Sequence, residues 1–552
     1  MVPMEDFYKQ FCKLGFDNNG VLNAFEPVVP DNFNFAYDVV DEIAAREPDR
    51  RAMVWCNDKG EERFFSFGDM SRYSNRAANL FAKQGIKKGD MVMLVLKRHY
   101  QFWFAVLALH KLGAVGIPAT NLLTVKDYVY RFEAASVSHI VATAEDGVPG
   151  RVEEACKSYS GIKSKMTVRG QQEGWLDFDA ALEAESDEFE RIPSSSEDML
   201  LLYFTSGTTG YPKMVTQDHS YPIAHIITAK FWHNIPADGL HLTVSETGWA
   251  KSVWGKLYGQ WLAAAAIFVY DMDKFVPTLL LEKIAKYKVT TFCAPPTIYR
   301  FFIKAGMGEH DFSSVKYATT AGEALNPEVY NRFYEQTGLK LMEGFGQTEV
   351  TLLTLNSVGM TARPGSMGKP SPLYDVELVD EEGLSVPPGA VGELVIRLPR
   401  GRKQIGLFQG YYRNEELTRT TMHDGLYHTG DTAWKDEDGY YWYVGRTDDI
   451  IKASGYRIGP FEIESVLMEH PSVMECAVTG APDPVRGTVV KATVVLTGDY
   501  SPSEELVKEL QDYVKKQTAP YKYPRILEFV EELPKTISGK IKRAQIRRGG
   551  EE

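Results

Sequence analysis

The 552-residue chain contains no apolar run long enough to cross a membrane as a helix. Its longest, 261–270 (WLAAAAIFVY), falls well short of the ~18 residues a span needs. It reads as a buried strand or a helix edge. Cysteine is scarce: Cys12, Cys56, Cys156, Cys293 and Cys476 stand apart and form no CxxC pair. That disfavours a disulfide framework and a cysteine zinc site, and it fits a reducing compartment. Basic residues are outnumbered, 61 Lys+Arg against 74 Asp+Glu, for a net charge of −13. A general nucleic-acid binder needs a basic face, so the acidity argues against that class. No repeat of 20–50 residues is present, which removes solenoids and propellers, and no long low-complexity linker divides the chain. The N-terminus, MVPMEDFYKQFCKLGF, has early acids and neither a basic region before an apolar core nor Arg/Ser enrichment. It reads as neither a secretory signal nor a transit peptide, and the expectation is a cytoplasmic protein.

What is present is an ordinary globular composition, 44% hydrophobic and 24% charged, long enough for two to four domains with large cores. Segment 67–85 places Met70, Tyr73, Ala77, Leu80 and Phe81 near helical spacing and ends at Gly85. The strand-like 91–96 (MVMLVL), helical 101–112, strand-like AVGIPA, helical 127–135 and strand-like 139–144 follow. Helices alternating with short, uniformly apolar strands predict a buried parallel sheet with helices on its faces. After about Val350 the character changes to strands set between Gly/Pro/Asp turns: 375–380, 392–398 and 439–445. These predict a small antiparallel unit. From about Asp448 helix and strand patterns mix again, over 462–469, 475–480, 489–496 and 503–518. Residues 449–552 hold 15 basic and 16 acidic groups, and 535–548 carry six basic residues and no acid. A separate, less acidic C-terminal domain is expected.

Four segments carry chemistry. In 203–213 (YFTSGTTGYPK) an apolar lead-in delivers Thr205, Ser206, Gly207, Thr208, Thr209 and Gly210, then Lys213. Small residues let backbone N–H groups approach an anion, hydroxyls add donors, and lysine adds a charge. Such a loop is a phosphate cradle or simply a polar turn, and its Lys placement departs from a Walker loop. In 343–349 (EGFGQTE), Thr348 can bond a phosphate oxygen and Glu349 can reach Mg²⁺, or the segment is a surface turn. In 427–431 (YHTGD) and 445–449 (GRTDD), an aspartate at a glycine turn suits two ribose hydroxyls and Arg446 a sugar or phosphate. A salt-bridged turn is the plainer alternative. In 535–543 (KTISGKIKR), Lys540 follows a Ser-Gly turn on a basic tail that could equally be a solvated charge run.

Together, in this order and in a chain of this length, the four segments resemble the adenylate-forming (AMP-binding) superfamily, and most of all its medium-chain acyl-CoA synthetases. The 321–325 (AGEAL) and 451–460 (IKASGYRIGP) stretches fit it too. The resemblance implies an α/β fold: a large N-terminal domain of mostly parallel sheets with flanking helices plus a small β-barrel, and a smaller mobile α+β lid. The expected division is 1–447, with subdomains at about 1–195, 196–350 and 351–447, then 449–552, hinged at Asp448. By the same resemblance Thr205–Lys213 covers the ATP β- and γ-phosphates. Gly322, Glu323 and Ala324 lie along the adenine, and Glu343, Gly344, Phe345, Gly346 and Gln347 belong to the nucleotide site. Phe345 stacks where the family more often has tyrosine. Thr348 and Glu349 take the α-phosphate and Mg²⁺, Asp431 the ribose with Arg446 beside it, and Lys540 is the catalytic lysine. Ser454, Gly455 and Tyr456 line the pantetheine channel and Arg486 meets a CoA phosphate.

The implied reaction joins a carboxylic acid, ATP and CoA by way of an acyl-adenylate, with Mg²⁺ as cofactor, domain alternation between steps, and a place in fatty acid metabolism. A homodimer is left open. Acetate-specific relatives have Trp where this chain has Gly346; a missing indole opens space for methylenes worth ~0.8 kcal/mol each, so an acid larger than acetate is expected, short, medium or branched. Trp249, Trp254 and Tyr258 are candidate pocket walls or core aromatics. Lys251 and Lys256 are odd in that apolar stretch: either they snorkel at a surface, or Lys256 narrows the pocket. Alternatives are an aryl-acid (benzoate-like) CoA ligase, an enzyme loading a carrier protein, a kinase or ATPase, and a catalytically silent nucleotide-binding protein.

Overall fold

The computed structural model describes residues 2–205, 211–453, 456–484, 487–536 and 540–549. The helices form where the apolar periodicity placed them. Phe67–Lys83 starts at a capping box in which the Ser66 hydroxyl accepts from the Asp69 N–H at 3.1 Å and Asp69 accepts from the Ser66 N–H at 2.9 Å. Such a cap contributes about 1 kcal/mol. Gln101–Leu112 is buried on every side, which its nearly unbroken apolar sequence requires. The 261–270 run, expected as a buried strand or a helix edge, divides between the two: it ends helix Tyr258–Leu262 and supplies the buried strand Ala266–Asp271.

Among the described residues two large sheets organise the N-terminal part. One has seven strands in the order Lys213–Asp218, Met199–Thr205, Val115–Pro118, Met91–Val95, His139–Thr143, Ser164–Val168 and Leu176–Asp177, parallel except for its first pair. The other has a parallel centre: Arg51–Asn57, Ala266–Asp271, Leu240–Thr243, Thr291–Ala294, Tyr317–Thr320 and Leu341–Gly346. Sheet membership does not follow the expected division near residue 195. Arg51–Asn57 and Glu62–Ser66 join the second sheet, while Met199–Thr205 and Lys213–Asp218 join the first. Strand partners are chosen by long-range burial, which contiguity in sequence does not encode.

The antiparallel strands beyond Val350 continue the second sheet by hydrogen bonding, through Leu352–Leu355 and Ser366–Pro370 to Tyr441–Arg446, Leu426–Lys435, Val391–Arg397 and Asp375–Val379. The C-terminal part forms its own sheets, Ile451–Ala453 with Tyr456–Ile458, and Val473–Asp483, Gly487–Leu496 and Ile526–Phe529. Helices Pro460–Glu469 and Glu504–Gln517 cover it, and its core is separate: Ile463, Leu467, Val478, Val494 and Leu510 are buried together.

Candidate active site

The site forms where the first sheet's edge hairpin, the end of the Leu341–Gly346 strand and the antiparallel extension meet. Thr205 and Lys213 are paired across the hairpin. The loop between them, with Ser206, Gly207, Thr208, Thr209 and Gly210, lies outside the described residues. Two contacts tie this hairpin to the second segment. Gln217 Nε2 donates to the Thr348 carbonyl at 2.8 Å, and the Lys213 ammonium stands 5.3 Å from the centre of the Tyr411 ring. The Tyr411 hydroxyl in turn donates to Glu349 Oε1 at 3.0 Å.

Gln347 links the second segment to the third. Its amide donates to Asp431 Oδ2 at 2.5 Å and to the Thr429 carbonyl at 2.9 Å, and its oxygen accepts from the Tyr427 hydroxyl at 2.7 Å. Asp431 also accepts from Tyr443 at 3.1 Å and from Arg446 at 3.3 Å; Asp431 and Arg446 are direct cross-strand partners. Burial pushes the Asp431 carboxyl up from its ordinary range, opposed chiefly by Arg446 and by the donors on Tyr443 and Gln347. The Phe345 ring is 5.9 Å from that of Tyr443, so the aromatic of the second segment and the aspartate of the third share a neighbour.

Glu343 is the buried carboxylate of the second segment. Its Oε1 accepts from the Leu325 N–H at 3.1 Å, which joins this strand to the 321–325 loop, and Oε2 has no hydrogen-bond partner among the described residues. Burial raises its carboxyl from 4.5 to about 8. In the 321–325 loop Gly322 takes φ +102°, which side-chain-bearing residues rarely adopt, and Glu323 accepts from the Thr297 hydroxyl at 2.7 Å.

Lys540 stands on a hairpin: the Thr536 N–H donates to the Lys540 carbonyl at 2.7 Å, and the Lys540 N–H donates to the Thr536 hydroxyl at 3.1 Å. Its charge bears on both Asp431 and Lys251. Ser454, Gly455 and Arg486 lie outside the described residues; Tyr456 is half exposed and stacks on Tyr521 with ring centres 3.9 Å apart. Arg446 also lies 3.6 Å from the Asp448 carboxylate.

The expectations for the acyl end need correction. The space left by a glycine at 346 is not open: a Cβ there would lie 2.6 Å from the Trp254 ring and 2.4 Å from the Thr351 carbonyl oxygen. Trp254, fixed by its N–H donating to the Tyr221 hydroxyl at 2.9 Å, occupies the place from another element. Lys251 and Lys256 do not snorkel. Lys256 is 2% exposed, its ammonium donates to the Ser245 carbonyl at 2.6 Å, and burial pulls it down to about 7. Lys251 donates to the Ala321 carbonyl beside Gly322, and burial lowers it as well. Sequence reasoning marked Lys251 as unusual without assigning it to the site. The signal was there, a lysine three positions before Trp254 on one helical face. Tyr258 is packed against Phe35, His110 and Tyr221, and Trp249 is half-buried.

Residues 40–412 match the family model described as AMP-binding enzyme, and 462–540 the AMP-binding enzyme C-terminal domain. The chain belongs to the AMP-binding enzyme family. Within that family it is an acyl-CoA synthetase, an AMP-forming acid–thiol ligase that uses ATP. It is 40% identical over 561 residues to acyl-coenzyme A synthetase ACSM3, mitochondrial, of Mus musculus, covering 99% of this chain and 96% of that one. It is 42% identical over 537 residues to acyl-coenzyme A synthetase ACSM4, mitochondrial, of Homo sapiens, covering 95% and 92%. In structure it resembles the anthranilate CoA ligase AuaEII bound to anthranoyl-AMP, with TM-score 0.87, 29% identity, and 95% and 98% coverage. A benzoate CoA ligase from Burkholderia xenovorans LB400 follows with TM-score 0.81, 27% identity, and 93% and 100% coverage.

These relatives overturn the cytoplasmic expectation, because the sequence relatives are mitochondrial proteins. Near the N-terminus Phe7, Tyr8 and Phe11 are buried in the core. Among the described residues no helix is long and apolar enough to cross a membrane.

Proposed function

We propose that the synthetase activates a short-, medium- or branched-chain carboxylic acid, larger than acetate, and that its product enters fatty acid metabolism. The observation that carries the site assignment is the Gln347–Asp431–Arg446 network. In the first step a carboxylate oxygen attacks the ATP α-phosphorus and the bond to pyrophosphate breaks. In the second the CoA sulfur attacks the acyl carbonyl, the thiol proton leaves, and AMP departs. The carboxylate is already nucleophilic, so the first step needs cations gathered at a crowded, anionic centre, not a base.

Each group has a role on this reading. Lys540 and Lys213 supply fixed positive charge to the phosphates, with Thr205 and the 206–210 loop around the β- and γ-phosphates and Thr348 at the α-phosphate. Asp431 accepts from ribose hydroxyls, held by Gln347, Tyr443 and Arg446. Phe345, Gly322, Glu323 and Ala324 bound the adenine. Gly346 and Trp254 close the acyl end, with Trp249 beside them, and Ser454, Gly455, Tyr456 and Arg486 serve CoA. The division at Asp448 gives the lid its axis.

The donor set fits Mg²⁺. Among the described residues no cluster of three or more His, Cys, Asp or Glu could hold a metal by itself, and Glu349 offers one carboxylate, as suits an ion carried mostly by phosphates. Glu349 would hold it, and the ion when bound supplies charge neutralisation at the triphosphate.

A second reading, an aryl acid, is favoured by one observation: two of the structural relatives are named as anthranilate and benzoate ligases. A panel of straight, branched and aryl acids with ATP, scored for pyrophosphate and AMP and with CoA compared against a phosphopantetheinylated carrier, tests both. Fastest turnover of a three- to eight-carbon aliphatic acid with CoA is expected. Preference for benzoate or for the carrier overturns the proposal.

A further inference from the structure

The mechanism needs Lys540 at the reacting phosphate, yet Lys540 itself is exposed and sits on a hairpin at the end of the chain. What aims it is found three residues on. Arg543 makes a two-pronged ion pair with Glu464 of the Pro460–Glu469 helix: Nη2 is 2.8 Å from both carboxylate oxygens and Nε is 3.2 Å from Oε1. Planar guanidinium and carboxylate meeting in this way fix orientation as well as distance. The pair is largely buried, and Glu464 is held from behind by the Val478 N–H at 2.8 Å. The hairpin in between is closed by backbone, with the Lys542 N–H donating to the Pro534 carbonyl at 2.8 Å and Lys535 bridging Ile541.

The Pro460–Glu469 helix is also the part of the lid that rests on the nucleotide site. Its Phe461 ring meets Tyr443, the donor to Asp431, with centres 6.0 Å apart, and its Ser465 carbonyl accepts from Asn326 Nδ2 at 3.0 Å. Asp431 thus touches Tyr443, Tyr443 meets Phe461, Phe461 and Glu464 stand three positions apart on one helix, and Glu464 grips Arg543, three residues after Lys540. Arg543 also stands 3.9 Å from Asp449, the residue after the expected hinge, and Arg547 on the same short helix donates to the Asp449 carboxylate at 2.7 Å and to the Asp448 carbonyl at 3.2 Å.

We infer that Arg543 is a positioning residue for adenylation: by clamping the segment after Lys540 to Glu464, it holds the lysine in register with the ribose aspartate when the lid docks through the Pro460–Glu469 helix. It touches no substrate and takes no part in the thiol step, in which the lid presents another face. The inference rests on the assignment of Lys540 to the first half-reaction.

The test separates the half-reactions. The full-length enzyme and its Arg543→Gln, Arg543→Lys, Glu464→Gln and Lys540→Ala variants are assayed by ATP–pyrophosphate exchange with the acid turned over fastest in the panel. Thioester formation from the synthetic adenylate of that acid and CoA is measured in parallel. A misplacement of order 1 Å costs about 100-fold in rate. Arg543→Gln is expected to lower kcat for exchange by about that factor with the KM for ATP nearly unchanged, and to leave thioester formation within about twofold. Arg543→Lys keeps the charge but loses the fork, and recovers only part of the rate. Glu464→Gln, which folds without leaving an unpaired buried acid, reproduces the exchange defect.

Equal losses in both half-reactions would mark Arg543 as merely structural and overturn the inference, as would an exchange rate unchanged by Arg543→Gln. If Lys540→Ala itself spares exchange, the assignment of Lys540 fails first, and that result is distinguishable from failure of the clamp.

Discussion

Gln347 and Asp431, 84 residues apart, share a 2.5 Å hydrogen bond, and through it two segments that have nothing in common in sequence become one surface. Gln347 is committed on both sides, donating to Asp431 and Thr429 and accepting from Tyr427. Its orientation is therefore fixed before nucleotide arrives, and with it one oxygen of the aspartate.

Asp431→Asn tests that surface. It removes a buried charge that Arg446 partners and leaves the Gln347 amide facing a group able to donate. Hydrogen bonds to a charged group contribute about 1.5–3 kcal/mol, so the KM for ATP should rise about 10- to 100-fold while the KM for the acid changes little. Steady-state kinetics with each substrate varied in turn checks it.

Lys540→Ala should abolish pyrophosphate exchange and spare the conversion of supplied acyl-adenylate to thioester. An equal fall in both steps would remove the lysine from its assigned role.

Trp254 is the expected limit on acid size. Trp254→Ala vacates the space beside Gly346, and each methylene newly buried there contributes about 0.8 kcal/mol, or roughly fourfold in kcat/KM. The preferred chain should lengthen by several carbons. Gly346→Ala acts in the opposite sense, because its Cβ meets the Thr351 backbone, and the acid-dependent rate should fall with every acid tried. A chain-length profile that Trp254→Ala leaves unaltered would exclude the indole as the pocket end.

Glu343 gives a signed pH dependence. Its carboxyl is raised from 4.5 to about 8, so between those values the folded protein binds a proton that the unfolded chain has released. Stability contributed by this group is present below 4.5, falls as pH rises from there to about 8, and is flat beyond. Glu343→Gln keeps the acceptor for the Leu325 N–H and carries no titrating group, so its melting temperature should exceed that of the parent by a margin that grows between pH 6 and pH 8. Parallel melting curves for the two proteins across that window would contradict the burial argument.

Asp448→Pro fixes one backbone dihedral at the expected hinge. Adenylation should persist, while thioester formation from acyl-adenylate and CoA falls. Thioester formation at the parental rate would place the axis elsewhere.

The sequence by itself determined the elements and the chemistry. Periodicity set the 67–83 and 101–112 helices, apolar runs set the strands at 91–95 and 139–143, and four short segments taken together carried the resemblance to AMP-binding enzymes, because local propensity and short motifs are written in neighbouring residues. Tertiary structure decided what depends on distance: that 51–66 crosses to the second sheet, that Trp254 fills the place Gly346 leaves, that Lys251 reaches the Ala321 carbonyl, and that Arg543 grips Glu464. Each of these pairs residues tens to hundreds of positions apart. Their contact follows from burial and charge pairing in the assembled core, which no local pattern records.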